Sequence, residues 1–317
     1  MKSLLFFLLL PILALGQSEL QEVEKLLAKK QFSKAEKTMV SYVNTNPNDL
    51  KGIELLGDTY GQQLKWDDAI KTYKRLVDAK DSNANYHYKY GGAMGMKALK
   101  VNKFKALGMI ADVKDEFHKA AELDPKHIDV RWALVELYMQ LPGIVGGSVD
   151  KSLKYANELE KLSKVDGYMA KGYVYEYDKE PTLAEKYYKM AIKEGGSMTC
   201  YEKLTTFYEK QKQPEKAIAN IEDNQKAHKR NALHYQIGKV AAEYNVELQK
   251  GEMCLNTYIK NYSAEDGVPK AWANYRLAQI NKHKGNKTEA LNYINLAITE
   301  LPDIKPFKEE KTAILKL

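Results

Sequence analysis

The chain has 317 residues, of which 44% are hydrophobic and 29% are charged, and its formal net charge at pH 7 is +7. This composition is that of a globular protein, and nine prolines and nineteen glycines are too few for a low-complexity or collagen-like chain. The basic surplus is spread over several segments instead of forming one stripe, which argues against nucleic acid as a partner. We therefore expect a mixed surface charge that favours solubility.

The N-terminal stretch MKSLLFFLLLPILALGQ is typical of a secretory signal peptide. Lys2 precedes an apolar run that ends at Leu15, and Ala14-Leu15-Gly16 fits the small-x-small cleavage rule. The run is about twelve residues long, whereas a membrane span needs about twenty. We predict a signal peptide over residues 1–16, an exported mature chain and no stable membrane insertion after cleavage; an uncleaved anchor is the alternative.

A repeat follows this segment. Gly57 and Gly91 are separated by one period of about 34 residues, as are Ala35 and Ala69. In LLGDTYGQQLKWDDAIKTYKRL, the residues stand at the spacing of the tetratricopeptide signature, L-G-x2-Y…A-x3-F. The signature positions are occupied by Leu56, Gly57, Tyr60, Ala69 and Tyr73. Each such repeat is a pair of helices, in which small residues allow the two helices to approach closely.

Extended along the chain, this frame gives eight units and a charged tail. The units cover about 16–49, 50–83, 84–127, 128–164, 165–197, 198–230, 231–270 and 271–304, and the tail is 305–317. No linker or change of composition separates them. We therefore predict an all-α fold, a right-handed superhelix (an α-α solenoid) of about eight helix pairs with a C-terminal capping helix, formed as a single solenoid over 17–317. Strands, or two separately folded lobes, would contradict this prediction.

The third unit is longer than the frame allows. Between its Gly and Ala positions, Gly91 and Val113, it has ten residues more than the frame, and the extra segment is rich in Met and Leu and helical in pattern. We predict a long helical hairpin that packs beside the inserted loop of the fourth unit. The hairpin is either a structural brace or a docking site, because Met-rich surfaces repack easily around a partner.

The fourth unit contains LPGIVGGSV between its two helices. A phosphate-binding loop needs G-x4-G-K-[ST] after a strand, and this segment has neither the Gly-Lys pair nor the strand. Tyr138 and Ala156 are eighteen residues apart where the frame has nine, which predicts a nine-residue insertion. Ser148 is predicted to cap the following helix. The inserted loop is defined by Pro142, Gly143, Gly146, Gly147 and Ser148.

Three stretches resemble a known family. FKALGMIADVKDEFHKAAELDP, VRWALVELYMQLPGIVGGS and YQIGKVAAEYNVELQKGEMCLNTYI are similar to exported bacterial tetratricopeptide proteins that carry a P-G-x-x-G-G-S loop. The chain is more distantly similar to the helical-repeat subunits of tripartite periplasmic transporters. The resemblance implies a scaffold or adaptor in the periplasm or cell envelope of a Gram-negative bacterium.

In such a solenoid the first helix of each unit lines the concave face. The residues at these positions form a series of aromatic rings with acids between them, which suits an extended peptide or a partner helix. They are Tyr88, Trp132, Glu136, Tyr173, Glu176, Tyr177, Glu209, Tyr235, Glu243, Trp272 and Tyr275. The alternative is that each ring only fills space between helices.

No catalytic or metal motif accompanies the repeat. The sequence has no H-E-x-x-H, C-x-x-C or G-x-S-x-G, so we predict no cofactor and no enzyme. A hidden hydrolase would need a buried histidine–carboxylate or nucleophile pair. Cys200 and Cys254 are too few for a disulfide framework and are predicted to be buried thiols, a bridge being the alternative. The predicted function is a scaffold for a protein or peptide partner; the alternative is a periplasmic small-ligand carrier or transporter-associated subunit.

Overall fold

A computed structural model describes residues 19–317. The predicted signal peptide, residues 1–16, lies outside the described residues. Within 19–317 the chain forms α-helices, two short 3-10 helices and turns, and it contains no strand. The all-α fold predicted from the repeat is confirmed.

The helices form consecutive pairs joined by turns, followed by one last helix. Each odd-numbered helix from α3 to α15 packs against the even-numbered helix after it, and α17 packs on α16. The helices are α1 (19–28), α2 (Phe32–Thr45), α3 (Leu50–Gln62), α4 (Trp66–Ala79), α5 (Ala84–Ala98), α6 (Lys103–Leu123), α7 (Ile128–Gln140), α8 (Val149–Leu162), α9 (Lys164–Tyr177), α10 (Pro181–Gly195), α11 (Met198–Lys210), α12 (Pro214–His228), α13 (Asn231–Tyr244), α14 (Leu248–Lys260), α15 (Lys270–His283), α16 (Lys287–Glu300) and α17 (Lys305–Leu315).

The chain divides into two compact units, Met1–Ser163 and Lys164–Leu317, and the first is described from residue 19 onward. The first unit contains α1 to α8 and the second contains α9 to α17. Each has buried apolar residues of its own, such as Leu76 in the first and Leu277 in the second. A single uninterrupted solenoid over 17–317 stays a prediction.

In several helix pairs a glycine of the first helix faces a ring of the second. A Cβ atom added to Gly57 would lie 2.7 Å from Cδ1 of Tyr73, and the same relationship recurs between Gly172 and Tyr188. The buried Tyr73 also donates a hydrogen bond from its hydroxyl to Asp58, at 2.6 Å. A tyrosine fills the space beside the glycine and still reaches a polar partner at the rim.

In the fourth helix pair, α7 and α8, the insertion is shorter than predicted from the sequence. Ser152, not Ala156, is the fourth residue of α8, as Ala69 is the fourth residue of α4. Ser152 is fully buried and donates to a backbone carbonyl of α7 at 3.0 Å. Because Ser152 follows Tyr138 by fourteen residues where Ala69 follows Tyr60 by nine, the loop inserts five residues and not nine.

Both cysteines are free thiols. Cys200 is buried, as predicted, whereas Cys254 is only half-buried. Burial, together with the nearby carboxylate of Glu222, raises the pKa of Cys254 to about 11. This thiol is therefore protonated at neutral pH and a poor nucleophile.

Candidate partner-binding surfaces

In the unit Lys164–Leu317, a cleft of about 270 Å³ opens beside α9 and α11. Tyr173 and Glu176, both predicted to contact a partner, line it together with Lys203 and Lys210. The ring of Tyr173 lies 5.2 Å from that of Tyr177, which is 52% exposed. The cleft thus contains the Tyr173 ring and charged groups of both signs, and the exposed Tyr177 ring lies next to Tyr173.

The predicted acids of this unit are not isolated charges. Each forms a salt bridge with a basic side chain on the next odd-numbered helix along the chain, an arrangement that we call the ion-pair ladder. Its members are Glu176–Lys210 at 2.6 Å, Glu209–Lys239 at 3.3 Å and Glu243–Arg276 at 2.6 Å. The acids therefore hold successive helix pairs together, and the surface does not present carboxylates alone.

In the Glu176–Lys210 salt bridge, the basic side chain is the more exposed partner. The side chain of Lys210 is 62% exposed, whereas that of Glu176 is 15% exposed and also accepts a hydrogen bond from the Tyr188 hydroxyl at 2.7 Å. While it is paired with Glu176, the Lys210 side chain therefore stays largely open to solvent, where a carboxylate of a partner can also approach it.

Two predicted rings of this unit are buried. The Tyr235 ring packs 5.4 Å from Tyr258 in the core. The Tyr275 ring stacks on Phe307 of α17 at 5.0 Å, and half-buried Trp272 meets the same phenyl ring at 4.9 Å. Tyr235 is buried against α14 and Tyr275 is covered by α17, so both rings serve packing and are not accessible to a partner.

The unit that ends at Ser163 carries the remaining predicted residues on α5 and α7. Tyr88 is half-buried, and its ring lies 5.1 Å from the imidazole of His127. Burial, and then the fields of carboxylates including Glu136, raise the pKa of Tyr88. Trp132 is half-buried and Glu136 is exposed. These side chains lie at the surface, so their predicted role in partner contact stays open.

The long α5–α6 hairpin packs beside the inserted loop. Nζ of Lys114, on α6, donates to the backbone carbonyl of Val145 at 2.6 Å. Nearby, His118 of α6 is within hydrogen-bonding distance of two hydroxyls, Tyr138 at 2.8 Å and Tyr155 at 3.3 Å. These contacts join α6 to α7, the loop and α8, and this is the arrangement expected of a structural brace.

The loop sequence follows from its backbone geometry. Gly146 has a φ of +92°, which favours glycine, and a Cβ on Gly147 would overlap the carbonyl oxygen of Leu141. Ser148 accepts a hydrogen bond from the Lys151 amide at 3.2 Å and caps α8 as predicted. Pro142 and Gly143 flank the turn that these residues fix.

A buried histidine–carboxylate pair does exist in the first unit. Nδ1 of His87 lies 2.5 Å from Oε2 of Glu116, and Nε2 lies 2.7 Å from the backbone carbonyl of Asp81. Both ring nitrogens therefore have protein partners, and neither faces a nucleophile. Among the residues that the structure describes, no three His, Cys, Asp or Glu side chains come together to hold a metal ion.

The residues predicted from the sequence do not include the basic partners in the ion-pair ladder, Lys210, Lys239 and Arg276. Lys210 follows Glu176 by 34 positions, which is one repeat, and Arg276 follows Glu243 by 33. An acid and a base separated by one repeat length lie on neighbouring first helices. That spacing was the available signal for a salt bridge between repeats.

One family model and several solved structures are similar to this chain. Residues 273–302 match the family model described as tetratricopeptide repeat. A thermophilic tetratricopeptide protein of Thermus thermophilus is 14% identical, with a TM-score of 0.52 over 61% of this chain and 97% of its own. A tetratricopeptide repeat protein of Parabacteroides merdae ATCC 43184 is 12% identical, with a TM-score of 0.48 over 95% of this chain and 98% of its own.

YrrB, described as a protein of this repeat class with an unusual peptide-binding site, is 18% identical, with a TM-score of 0.43 over 62% of this chain and 97% of its own. Among curated proteins, none matches the chain. The likeness to the Thermus protein concerns the fold alone, and the repeat model matches α15 and α16. Residues 273–302 thus match a tetratricopeptide repeat, and over 61% of its length the chain has a fold similar to that of the Thermus protein.

Proposed function

We propose that this protein is a non-enzymatic scaffold or adaptor that binds a protein or peptide partner on its odd-numbered helices. The observation that carries the proposal is the cleft beside α9 and α11, where the Tyr173–Tyr177 ring pair adjoins Lys203 and Lys210. Aromatic rings supply contact area at low entropic cost, and the lysines set the polarity of a bound segment. A partner with an apolar side chain next to a carboxylate fits this chemistry.

Export to the periplasm or cell envelope of a Gram-negative bacterium is part of the proposal. It rests on the N-terminal sequence and on the resemblance of the P-G-x-x-G-G-S loop. The small-ligand carrier remains the alternative. It has less support, because the larger cleft of the second unit, about 750 Å³, is open and includes Lys189, Lys216 and Lys226 in its lining, and a carrier is expected to enclose its ligand in an apolar pocket.

Affinity purification of tagged protein from the native cell envelope tests the scaffold function. Tyr173→Ala combined with Tyr177→Ala should release the partner, whereas Tyr187→Ala, on even-numbered α10, should retain it. If the double variant and the control retain the same partners, the α9–α11 surface is not the binding site. If a small metabolite shifts the thermal unfolding and no protein is retained, the carrier alternative is favoured.

A further inference from the structure

The tip of the α5–α6 hairpin has no counterpart in the neighbouring helix pairs. Gly91 faces Phe117 in the same way that Gly57 faces Tyr73. The segment from Gly91 to Phe117 is ten residues longer than the segment from Gly57 to Tyr73. Most of the excess lies in α6, which has 21 residues where α4 has 14, whereas α5 has 15 residues where α3 has 13. We define the hairpin tip as residues 96–107.

The hairpin tip exposes large apolar side chains. Met96 and Leu99 lie at the end of α5, and Phe104 and Leu107 lie in the first turns of α6. Phe104 is 89% exposed and Leu99 is 64% exposed. Because residues three apart on a helix share a face, each helix presents a small apolar strip. Exposed apolar side chains grouped at one end of a hairpin are a feature of interaction sites.

The charged residues of the hairpin tip itself are all basic. Residues 82–111 contain no Asp or Glu, and the tip contains Lys97, Lys100, Lys103 and Lys105. Lys97 forms a salt bridge with Asp67 of α4. The ammonium groups of Lys100, Lys103 and Lys105 have no salt bridge within residues 19–317. A binding partner complementary to the tip therefore has a negatively charged surface and an apolar layer below that surface.

We propose that the hairpin tip docks on an anionic lipid membrane. Phe104 and Leu99 enter the boundary between headgroups and acyl chains, and the lysines remain at the level of the phosphates. A protein partner fits less well, because protein interfaces are depleted in lysine. No helix within residues 19–317 is long and apolar enough to cross a membrane, so the contact is peripheral. This inference is independent of the α9–α11 surface.

Co-sedimentation of the full chain with vesicles tests the proposal. We expect binding to vesicles of equal parts phosphatidylglycerol and phosphatidylcholine, and much weaker binding to phosphatidylcholine alone. Phe104→Ser should weaken binding about tenfold or more. Lys103→Gln with Lys105→Gln should weaken it about 25-fold, since each lysine near an anionic surface contributes about a fivefold factor. All these positions are exposed, and far-ultraviolet circular dichroism checks that the variants fold.

Two controls and a local reporter make the result specific to the tip. Lys34→Gln with Lys37→Gln removes the same charge from exposed positions of α2, and Met253→Ser removes an exposed apolar side chain from α14; both should bind as the parent does. In Phe104→Trp, the tryptophan emission should shift to the blue when anionic vesicles are added. No binding to anionic vesicles, equal binding by tip and control variants, or vesicle binding without that shift would overturn the proposal.

Discussion

The ring of Tyr188 occupies the space that a side chain at Gly172 would need. A Cβ atom at Gly172 would lie 2.5 Å from both Cδ1 and Cε1 of that ring, and Tyr188 is almost fully buried. The tyrosine cannot withdraw easily, because its hydroxyl donates to Glu176 at 2.7 Å. The glycine, the ring and the carboxylate together hold α9 against α10.

Substitution of this glycine should destabilise the second unit. Gly172→Ala is expected to lower the free energy of unfolding by about 1–3 kcal/mol, the usual cost of overpacking. Gly108→Ala is the matched control, because a Cβ there meets nothing within 4 Å in α6. That change should raise stability by about 0.5–1 kcal/mol, as for an exposed helix interior. Equal effects of the two changes in denaturant unfolding would refute the close-packing account.

The inserted loop offers a second matched pair. Gly147→Ala forces a Cβ into the Leu141 carbonyl oxygen and disturbs the amide of residue 147, which donates to the Pro142 carbonyl at 3.1 Å. We expect a loss of about 1–3 kcal/mol. Gly143→Ala, where a Cβ meets nothing within 4 Å, should cost less than 0.5 kcal/mol, roughly the range of a surface change. Thermal unfolding of both variants measures the difference.

The contact of α6 with α7 and α8 should depend on pH. Burial, with a contribution from Lys154, lowers the pKa of His118 from its ordinary value of 6.5, although Glu122 opposes the shift. The folded state therefore favours the neutral imidazole. Its contribution to stability is complete above pH 6.5 and is lost as the pH falls through the lower pKa of the folded state.

This pH dependence can be isolated by substitution. Unfolding free energies measured between pH 7 and pH 5 should fall more steeply for the parent chain than for His118→Gln. His234, whose pKa burial also lowers, is present in both proteins and cancels in the comparison. Parallel curves would show that His118 does not titrate between the folded and unfolded states.

Glu185 should stabilise the second unit down to strongly acidic pH. Burial opposes its ionisation, but hydrogen bonds from Lys189, Lys216 and Tyr208 outweigh that effect and lower the pKa of Glu185 to about 2. The stabilisation is complete above pH 4.5 and is lost as the pH falls towards 2. Glu185→Gln should therefore reduce stability at pH 6 and have little effect at pH 2, in chemical denaturation at both values.

Much of the fold could be predicted because its packing depends on residue size at fixed positions. Gly57 and Tyr73 recur as a small–large pair, so the repeat was visible in one sequence. The fourth pair reverses this order. Val135 takes the glycine position and Ala156 the aromatic one, and both are fully buried. From the sequence pattern alone, the alanine at the aromatic position therefore matches the alanine of the signature, and the predicted insertion is too long.

The partner surface was harder to predict, because accessibility depends on elements distant in sequence. Nothing near Tyr275 shows that Phe307, on the last helix of the chain, will cover its ring. The role of Glu176 likewise depends on Lys210 on another helix. Residue type and repeat position identify candidate side chains, and only the packed helices show which of them a partner can reach.

Photo-crosslinking at single positions tests the central claim most directly. A photoreactive amino acid placed at Tyr177, on the proposed surface, and separately at Tyr187, on α10, is activated in cells of the native host. We predict a discrete crosslinked protein or peptide from position 177 and none from position 187. Crosslinks from position 187 alone, or from neither position while the protein remains folded, would contradict partner binding by the odd-numbered helices.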